Sequence, residues 1–215
     1  MVWFNKRRAK IVSAREGYDQ WASSYLSETN PVKKLSDDVV SNLLPALEGK
    51  RLLDAGCGPG KFCAYAKEKN AKEITGIDLS PKMIEQAHRN CPSGVFTCAD
   101  LSTASFQENQ FDVIICALVL GHLPEINQPL DSLVHSLDRD GSLIITDFHP
   151  FLTLMRQKRT FRNPLSGKVL EVRHYLHLFE EYFAALGRHD VVVKDFVEPF
   201  YNGMPAVFGI RVKKL

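Results

Sequence analysis

Apolar and polar residues alternate along the middle of the chain in the rhythm of a parallel α/β sheet. Short apolar runs that are typical of buried strands occur at 51–55, 73–77, 95–97, 111–118 and 141–146. Amphipathic helical segments are predicted between them at 61–69, 81–90 and 127–138, the last ending at Asp140-Gly141. Parallel strands need crossover connections, so this pattern predicts a sheet that helices cover on both faces.

The first 50 residues depart from this alternation. Tyr18, Trp21 and Tyr25 are spaced to share one face of a predicted helix. A second helix is predicted over 31–47, with Ser36 and the two acids after it as its N-terminal cap.

The end of the chain departs from the alternation as well. Residues 148–173 are polar and basic, and Glu171 is the one acid among them. The segment contains six cations: Arg156, Lys158, Arg159, Arg162, Lys168 and Arg173. A helix over 175–186 that stops at Gly187 and two strands at 190–197 and 205–212 follow. The short link between these strands predicts an antiparallel hairpin at the sheet edge.

The most informative local feature is the turn after the first of the alternating strands. Asp54 ends that strand, and Gly56, Gly58 and Gly60 follow at every second position. Such a turn holds a nucleoside-bearing cofactor at the carboxyl edge of a parallel sheet. A dinucleotide turn would need a small residue where Lys61 stands, and an acid before the glycines would repel a pyrophosphate. The acid suits S-adenosylmethionine, which carries an ammonium and a sulfonium and no phosphate.

Together with 76–80 and 98–101, this segment resembles the class I S-adenosylmethionine-dependent methyltransferases, in the small-molecule group that includes the ubiquinone-biosynthesis C-methyltransferases. The resemblance covers 15–150 motif by motif. It implies that Asp54 contacts the methionine end, partly through water, that Asp78 binds both ribose hydroxyls, and that Asp100 receives the adenine amino group. It also implies further cofactor contacts from Tyr18, Tyr25, Gly56, Gly58, Gly60, Leu79, Met83, Leu101 and Ala117.

The resemblance implies a single domain whose fold class is α/β: a Rossmann-like, doubly wound, seven-stranded, mostly parallel sheet with an antiparallel C-terminal hairpin strand. We expect a helical lid over 1–48, a cofactor-binding core over 49–147 and a substrate-lid insertion over 148–175. The C-terminal helix and edge hairpin are expected over 176–215.

Two histidines are candidate catalytic residues. His122 lies in a segment that resembles the family's post-strand loop, and it is expected to position the cofactor, line the acceptor pocket or act as a base; the alternative is a capping or packing histidine. His149 follows the fifth strand, and its alternative is a loop histidine held by the local backbone. Methyl transfer requires no metal, and a base is needed only if the nucleophile must lose a proton.

Candidate acceptor-binding residues are Trp21, Arg173, Tyr175 and Tyr201. The basic insertion suggests an anionic acceptor, such as a carboxylate or phosphate, although a charge run is often only a solvated face. Lipid-like quinones also stay open as acceptors. For Trp21 the alternative is a core aromatic residue.

Composition narrows the function classes. The first hypothesis is a small-molecule methyltransferase that acts on an oxygen, nitrogen or carbon centre. An RNA or tRNA methyltransferase is the second, and two observations disfavour it: the formal net charge is only +2, and the chain lacks an N/D-P-P-Y/F motif after the fourth strand. A non-catalytic scaffold is the third, and the intact cofactor motifs disfavour it. Five cysteines without a C-x-x-C pair indicate reduced thiols in a cytoplasmic protein. No apolar run approaches the ~20 residues of a membrane span, and 1–8 do not resemble a secretion signal.

Overall fold

A computed structural model describes residues 9–215, so the expectation for 1–8 lies outside the described residues. The strands are β1 (Lys10–Val12), β2 (Arg51–Ala55), β3 (Glu73–Asp78), β4 (Val95–Cys98), β5 (Phe111–Ala117), β6 (Leu137–Phe148), β7 (Thr160–Arg162), β8 (Val169–Val172), β9 (Val191–Val197), β10 (Phe200–Tyr201), β11 (Met204–Pro205) and β12 (Val207–Lys214). The helices are α1 (Ala14–Trp21), α2 (Pro31–Leu43), α3 (Lys61–Glu68), α4 (Pro81–Asn90), α5 (Asn127–Ser136), α6 (Pro150–Leu154) and α7 (Phe179–Leu186).

The central sheet has seven strands in the order β4-β3-β2-β5-β6-β12-β9. Strands β2 to β6 pair in parallel, whereas β12 is antiparallel to both β6 and β9. The predicted fold class is therefore confirmed, including the antiparallel C-terminal hairpin.

Helices cover both faces of this sheet. Neighbouring residues Leu52 and Leu53 on β2 are both fully buried, in two different apolar clusters. A strand that is buried on both faces has no polar side, and this is why the central strands appear in the sequence as continuous apolar runs. Among the described residues, no helix is long and apolar enough to cross a membrane.

The predicted cap of α2 is wrong. The helix begins at Pro31, and its cap is Asn30, whose Oδ1 accepts hydrogen bonds from the backbone nitrogens of Val32 (3.0 Å) and Lys33 (3.1 Å). Ser36 lies inside the helix on its buried face, where its hydroxyl bonds to that of Thr146 at 2.6 Å. A polar residue on the apolar face of a helix is as consistent with a buried hydrogen bond as with a cap, and the pattern alone does not separate the two.

Other predicted boundaries also move. Helix α2 ends at Leu43 rather than at 47, and α7 begins at Phe179 rather than at 175. Helix α5 ends at Ser136, and Asp140 lies within β6 with a φ of +63° instead of ending a helix. Because β6 starts four residues earlier than predicted, the Asp-Gly pair forms an irregularity inside a strand.

The lid and the insertion form one small sheet that the sequence did not predict. Strand β1 pairs in parallel with β8, and β8 pairs antiparallel with β7. Trp21 stacks on Phe161 of β7 with ring centroids 4.8 Å apart. Helix α1 ends at Trp21, so Tyr25 lies in the turn that follows rather than on the helix. The N-terminal segment is thereby attached to the insertion as well as to the core.

Candidate active site

A cavity of about 270 Å³ opens at the carboxyl ends of β2, β3 and β5, with α1 against it. Most of the residues predicted to form a site line it: Tyr18, Tyr25, Gly56, Gly58, Asp78, Leu79, Met83, Asp100, Leu101, Ala117, His122, Arg173 and Tyr175. The edge of a parallel sheet collects groups from separate strand ends, and this explains how residues so distant in sequence meet.

The three glycines of the turn serve different purposes. All three have positive φ, between +52° and +84°. A Cβ on Gly56 would stand 2.1 Å from Val119 Cγ2, and one on Gly60 would stand 3.0 Å from Ala87 Cα, so both glycines permit close packing within the protein. A Cβ on Gly58 would meet nothing within 4 Å. Gly58 is therefore the glycine of this turn whose missing side chain leaves room at the cavity.

Asp78 ends β3 and presents its carboxylate at the cavity. Its Oδ2 accepts a hydrogen bond from Gly58 N at 2.9 Å, and its Oδ1 accepts one from Ser80 N at 2.8 Å. Burial raises the pKa of Asp78 to about 6, although these two backbone donors oppose the rise. The carboxylate thus joins the glycine turn to the start of α4 at the cavity wall.

Asp100 lines the cavity from the loop after β4. Its Oδ1 accepts hydrogen bonds from the backbone nitrogen (2.9 Å) and the hydroxyl (2.7 Å) of Ser102. Both bonds go to one oxygen and fix the orientation of the carboxylate. Ser102 also lines the cavity, and the sequence analysis did not identify it.

Asp54 is buried, with only 2% of its surface exposed, and it does not line the cavity. Its hydrogen-bond donor among the described residues is the Cys63 thiol, with Sγ 3.7 Å from Oδ2. Burial raises the pKa of Asp54 to about 7. A thiol is a weak donor, so this carboxylate lacks the partners that a buried charge normally requires.

His122 lies in a short 3₁₀ helix, Leu120–His122, and bonds through both ring nitrogens. Its Nδ1 lies 2.8 Å from the carbonyl oxygen of Arg173, and its Nε2 lies 2.8 Å from the hydroxyl of Tyr18. A carbonyl can only accept, so Nδ1 carries the proton and Nε2 accepts from Tyr18. Burial, with the positive charge of Arg159, lowers the pKa of His122 to about 3. The imidazole is neutral at physiological pH.

A buried ionic cluster that the sequence analysis missed supports this histidine. Asp147, at the end of β6, accepts a hydrogen bond from Gly121 N at 2.7 Å and lies 3.4 Å from Arg159 Nη1. His174 Nε2 is 3.8 Å from the same carboxylate. Burial opposes ionisation of Asp147, but His174 and Arg159 hold its pKa below the usual range. The only sequence signal was an acid at a strand end, the same signal that identified Asp54 and Asp78.

A second unpredicted contact holds the lid against the core. Ser80 donates its hydroxyl hydrogen to Asp19 Oδ1 at 2.5 Å, and its Oγ accepts from Met83 N at 3.1 Å as the cap of α4. Lys82 N lies 3.3 Å from the same Asp19 oxygen. Helix α1 is thus attached to the start of α4, directly beside Asp78.

Residues 53–145 match the profile of the family described as "Methyltransferase domain". The chain is 30% identical over 125 residues to malonyl-[acyl-carrier protein] O-methyltransferase of Enterobacter lignolyticus, covering 58% of this chain and 49% of that protein. It is 28% identical over 171 residues to phosphoethanolamine N-methyltransferase of Plasmodium falciparum, covering 76% of this chain and 60% of that protein. A putative S-adenosylmethionine-dependent methyltransferase from Listeria monocytogenes has the same fold, with a TM-score of 0.72, 21% identity, and coverage of 84% of this chain and 98% of that one.

Residues 53–145 are thus a methyltransferase domain, and the chain has the fold of S-adenosylmethionine-dependent methyltransferases. The comparisons confirm the resemblance that the sequence showed. The two curated relatives are named for a malonyl group on a carrier protein and for phosphoethanolamine. The chain spans 49% and 60% of the length of these two curated relatives.

Several predicted site residues lie outside the cavity lining. His149 caps α6: its Nδ1 accepts from Phe151 N at 3.1 Å, and its Nε2 is 2.8 Å from Glu198 Oε1. Trp21 is buried in the small apolar cluster between α1 and the strands β7 and β8, and its indole N–H bonds to Glu28. Tyr201 is exposed on β10. Their predicted roles at the acceptor stay predictions, and the geometry places His149 in the local backbone role that was its alternative.

Proposed function

We propose that this protein transfers the methyl group of S-adenosylmethionine to a small-molecule acceptor and releases S-adenosylhomocysteine. The observation that carries the proposal is the pairing of Asp78 with Gly58 at one cavity wall. Asp78 at the end of β3 provides a carboxylate that can bind the two hydroxyls of a ribose. Gly58, which donates a hydrogen bond to this carboxylate, leaves free space beside it.

The remaining donors and acceptors fit the same cofactor. Asp100 presents a carboxylate at the cavity, suited to the adenine amino group, and the apolar Leu79, Met83 and Leu101 line the wall for the ring itself. Asp54 is a buried carboxylate without a strong hydrogen-bond donor. Such a carboxylate is a suitable partner for the cationic methionine end of the cofactor, directly or through water. A phosphate-bearing cofactor would be repelled by these acids.

The bound cofactor supplies an electrophilic methyl group on a sulfonium, and displacement at that carbon needs alignment and a dry site. Tyr18 and Tyr25 line the cavity from the lid, and their partly buried rings shield that side from water. His122 holds the hydroxyl of Tyr18 and the backbone of Arg173, so we assign it a positioning role. Its low pKa makes it a poor proton acceptor at neutral pH.

The acceptor is proposed to be a small, anionic molecule. The named relatives act on a malonyl group carried by a protein and on phosphoethanolamine, both of which bear negative charge. The basic insertion and Arg173 at the cavity support the same class. Whether oxygen, nitrogen or carbon receives the methyl group stays open. We also propose a cytoplasmic location, because all five cysteines are free thiols.

Binding of S-adenosylhomocysteine, measured by isothermal titration calorimetry, tests the proposal. Asp78→Ala is expected to weaken this binding by at least ~1–3 kcal/mol, the cost of losing a charged hydrogen-bond acceptor. Asp38→Asn on the exposed face of α2 is the matched control and should bind as the wild type does. Wild-type protein that binds no S-adenosylhomocysteine, or an Asp78→Ala variant with unchanged affinity, would contradict the assignment.

A further inference from the structure

Two arginines line the cavity without a counter-ion. Arg15 lies in the first turn of α1, Arg173 directly follows β8, and both are exposed residues of the cavity wall. Neither guanidinium makes a hydrogen bond or ion pair with another residue of the described range 9–215. The acids of the lid helix, Glu16 and Asp19, are instead each bonded to another polar side chain.

The fold brings these two arginines to the same wall. Arg173 N donates a hydrogen bond to the carbonyl oxygen of Val12 at 3.0 Å, in continuation of the parallel β1–β8 pairing. Arg15 follows Val12 by three positions along the chain. The Arg173 carbonyl in turn accepts from His122, so its backbone is fixed on both sides. The lid contributes one guanidinium and the insertion contributes the other.

The other well-placed cations of the insertion are already engaged. Lys158 pairs with Glu171 at 2.5 Å, and Arg159 lies 3.4 Å from the buried Asp147. Of the six cations in the basic insertion, Arg173 is the one that lines the cavity. Arg15 and Arg173 thus supply the positive charge that a ligand in the cavity can contact.

We infer that the methyl acceptor carries an oxyanion group, a carboxylate or phosphate, which Arg15 and Arg173 bind together. This inference rests on the proposed function and names the acceptor class and its specificity residues. The guanidinium group is a planar set of donors that matches both oxyanions in a bidentate geometry. Tyr175, two residues beyond Arg173, also lines the cavity and offers a hydroxyl donor to the same group.

Titration of small oxyanions tests this inference without knowledge of the full acceptor. Inorganic phosphate and malonate are titrated separately, by isothermal calorimetry, into protein saturated with S-adenosylhomocysteine and into protein alone. The two arms distinguish a phosphate site from a carboxylate site. The variants are Arg15→Gln, Arg173→Gln and the double variant, with Arg156→Gln, an exposed insertion arginine outside the cavity lining, as the matched control.

We expect saturable binding of at least one anion to wild type and to Arg156→Gln, with about a tenfold weaker affinity in each single cavity variant. The dissociation constant for S-adenosylhomocysteine should stay within about threefold of the wild-type value in all variants. Anion binding that is absent in wild type, or equal in the double variant, overturns the inference.

Weaker S-adenosylhomocysteine binding in the cavity variants, with anion binding unchanged, would assign the guanidiniums to the cofactor's own carboxylate and would also overturn it. If wild type does not bind S-adenosylhomocysteine, the proposed function fails. In that case the anion titration of the protein alone still decides whether the oxyanion site exists.

Discussion

Tyr18 and His122 form the contact at which the lid, the insertion and the core meet. The Tyr18 hydroxyl donates to His122 Nε2, while His122 Nδ1 donates to the carbonyl of Arg173. Burial raises the pKa of Tyr18 and lowers that of His122, so both groups are neutral at pH 7. A neutral hydrogen bond of this kind persists across the physiological pH range, because neither partner titrates within it.

Tyr18→Phe removes this hydrogen bond and leaves the ring in place. We expect S-adenosylhomocysteine to dissociate several-fold faster, because a net hydrogen bond of about 1 kcal/mol no longer holds the lid closed. Stopped-flow fluorescence of Trp21, which stacks on Tyr18 at 5.9 Å, can follow the release. Tyr65→Phe, on α3 and outside the cavity lining, is the control. Equal dissociation rates in the two variants would show that the hydroxyl does not secure the lid.

The turn between β2 and α3 illustrates how one sequence pattern combines two purposes. Gly56 and Gly60 are required where Val119 and Ala87 approach the backbone, while Gly58 faces open space. The regular spacing of the three glycines suggests one shared role in the sequence. The distances show that Gly56 and Gly60 permit close packing within the protein, whereas Gly58 has free space around it.

Substitution of these glycines should separate stability from cofactor binding. Gly60→Ala combines a φ of +80° with a 3.0 Å contact to Ala87 Cα, and we expect it to lower the free energy of unfolding by about 2–3 kcal/mol. Gly58→Ala meets no atom, so its cost is that of the left-handed backbone, about 1 kcal/mol. Its main effect should be on S-adenosylhomocysteine affinity, since the new methyl group occupies space at the cavity.

Urea unfolding and calorimetric titration of both variants measure the two effects separately. A Gly58→Ala variant that binds S-adenosylhomocysteine as tightly as wild type would remove this glycine from the cofactor site. A Gly60→Ala variant of wild-type stability would show that Ala87 and α4 can move away from the turn.

At the scale of the whole molecule, the buried carboxyl of Asp54 couples folding to pH. Its pKa in the folded protein, about 7, lies above the ordinary value of 3.8. The folded state therefore binds this proton more tightly than the unfolded state, and the free energy of unfolding falls as pH rises between these two values. The stabilisation is fully present at low pH and is lost as pH rises through 7.

Asp54→Asn should remove this dependence. Between pH 5 and pH 8 the wild type is expected to lose on the order of 2–3 kcal/mol through Asp54, a loss that the variant does not share. Urea unfolding of the protein without cofactor measures it, with Asp38→Asn, an exposed acid, as the control. The same variant should bind S-adenosylhomocysteine more weakly. Parallel stability profiles for wild type and Asp54→Asn would mean that Asp54 is ionised equally in both states.

Much of this protein was predictable from local pattern. Strand β2 and helix α4 begin and end where the sequence predicts, because apolar runs, capping residues and proline determine such elements over short distances. The strand-end acids Asp54 and Asp78 were identified in the same way. The resemblance to S-adenosylmethionine-dependent methyltransferases followed from the glycine turn and these acids, and the comparisons confirmed it.

The tertiary structure alone decided which of these residues face the cavity. The pairing of β1 with β8, the attachment of Asp19 to Ser80 and the ionic cluster at Asp147 join segments between about 10 and 160 residues apart along the chain. Such contacts depend on packing between elements, for which a single sequence carries no periodic signal. The sequence by itself thus determined the fold class and predicted the methyl donor. Packing determined which glycine leaves room at the cavity, which histidine contacts the lid, and which two arginines line the cavity.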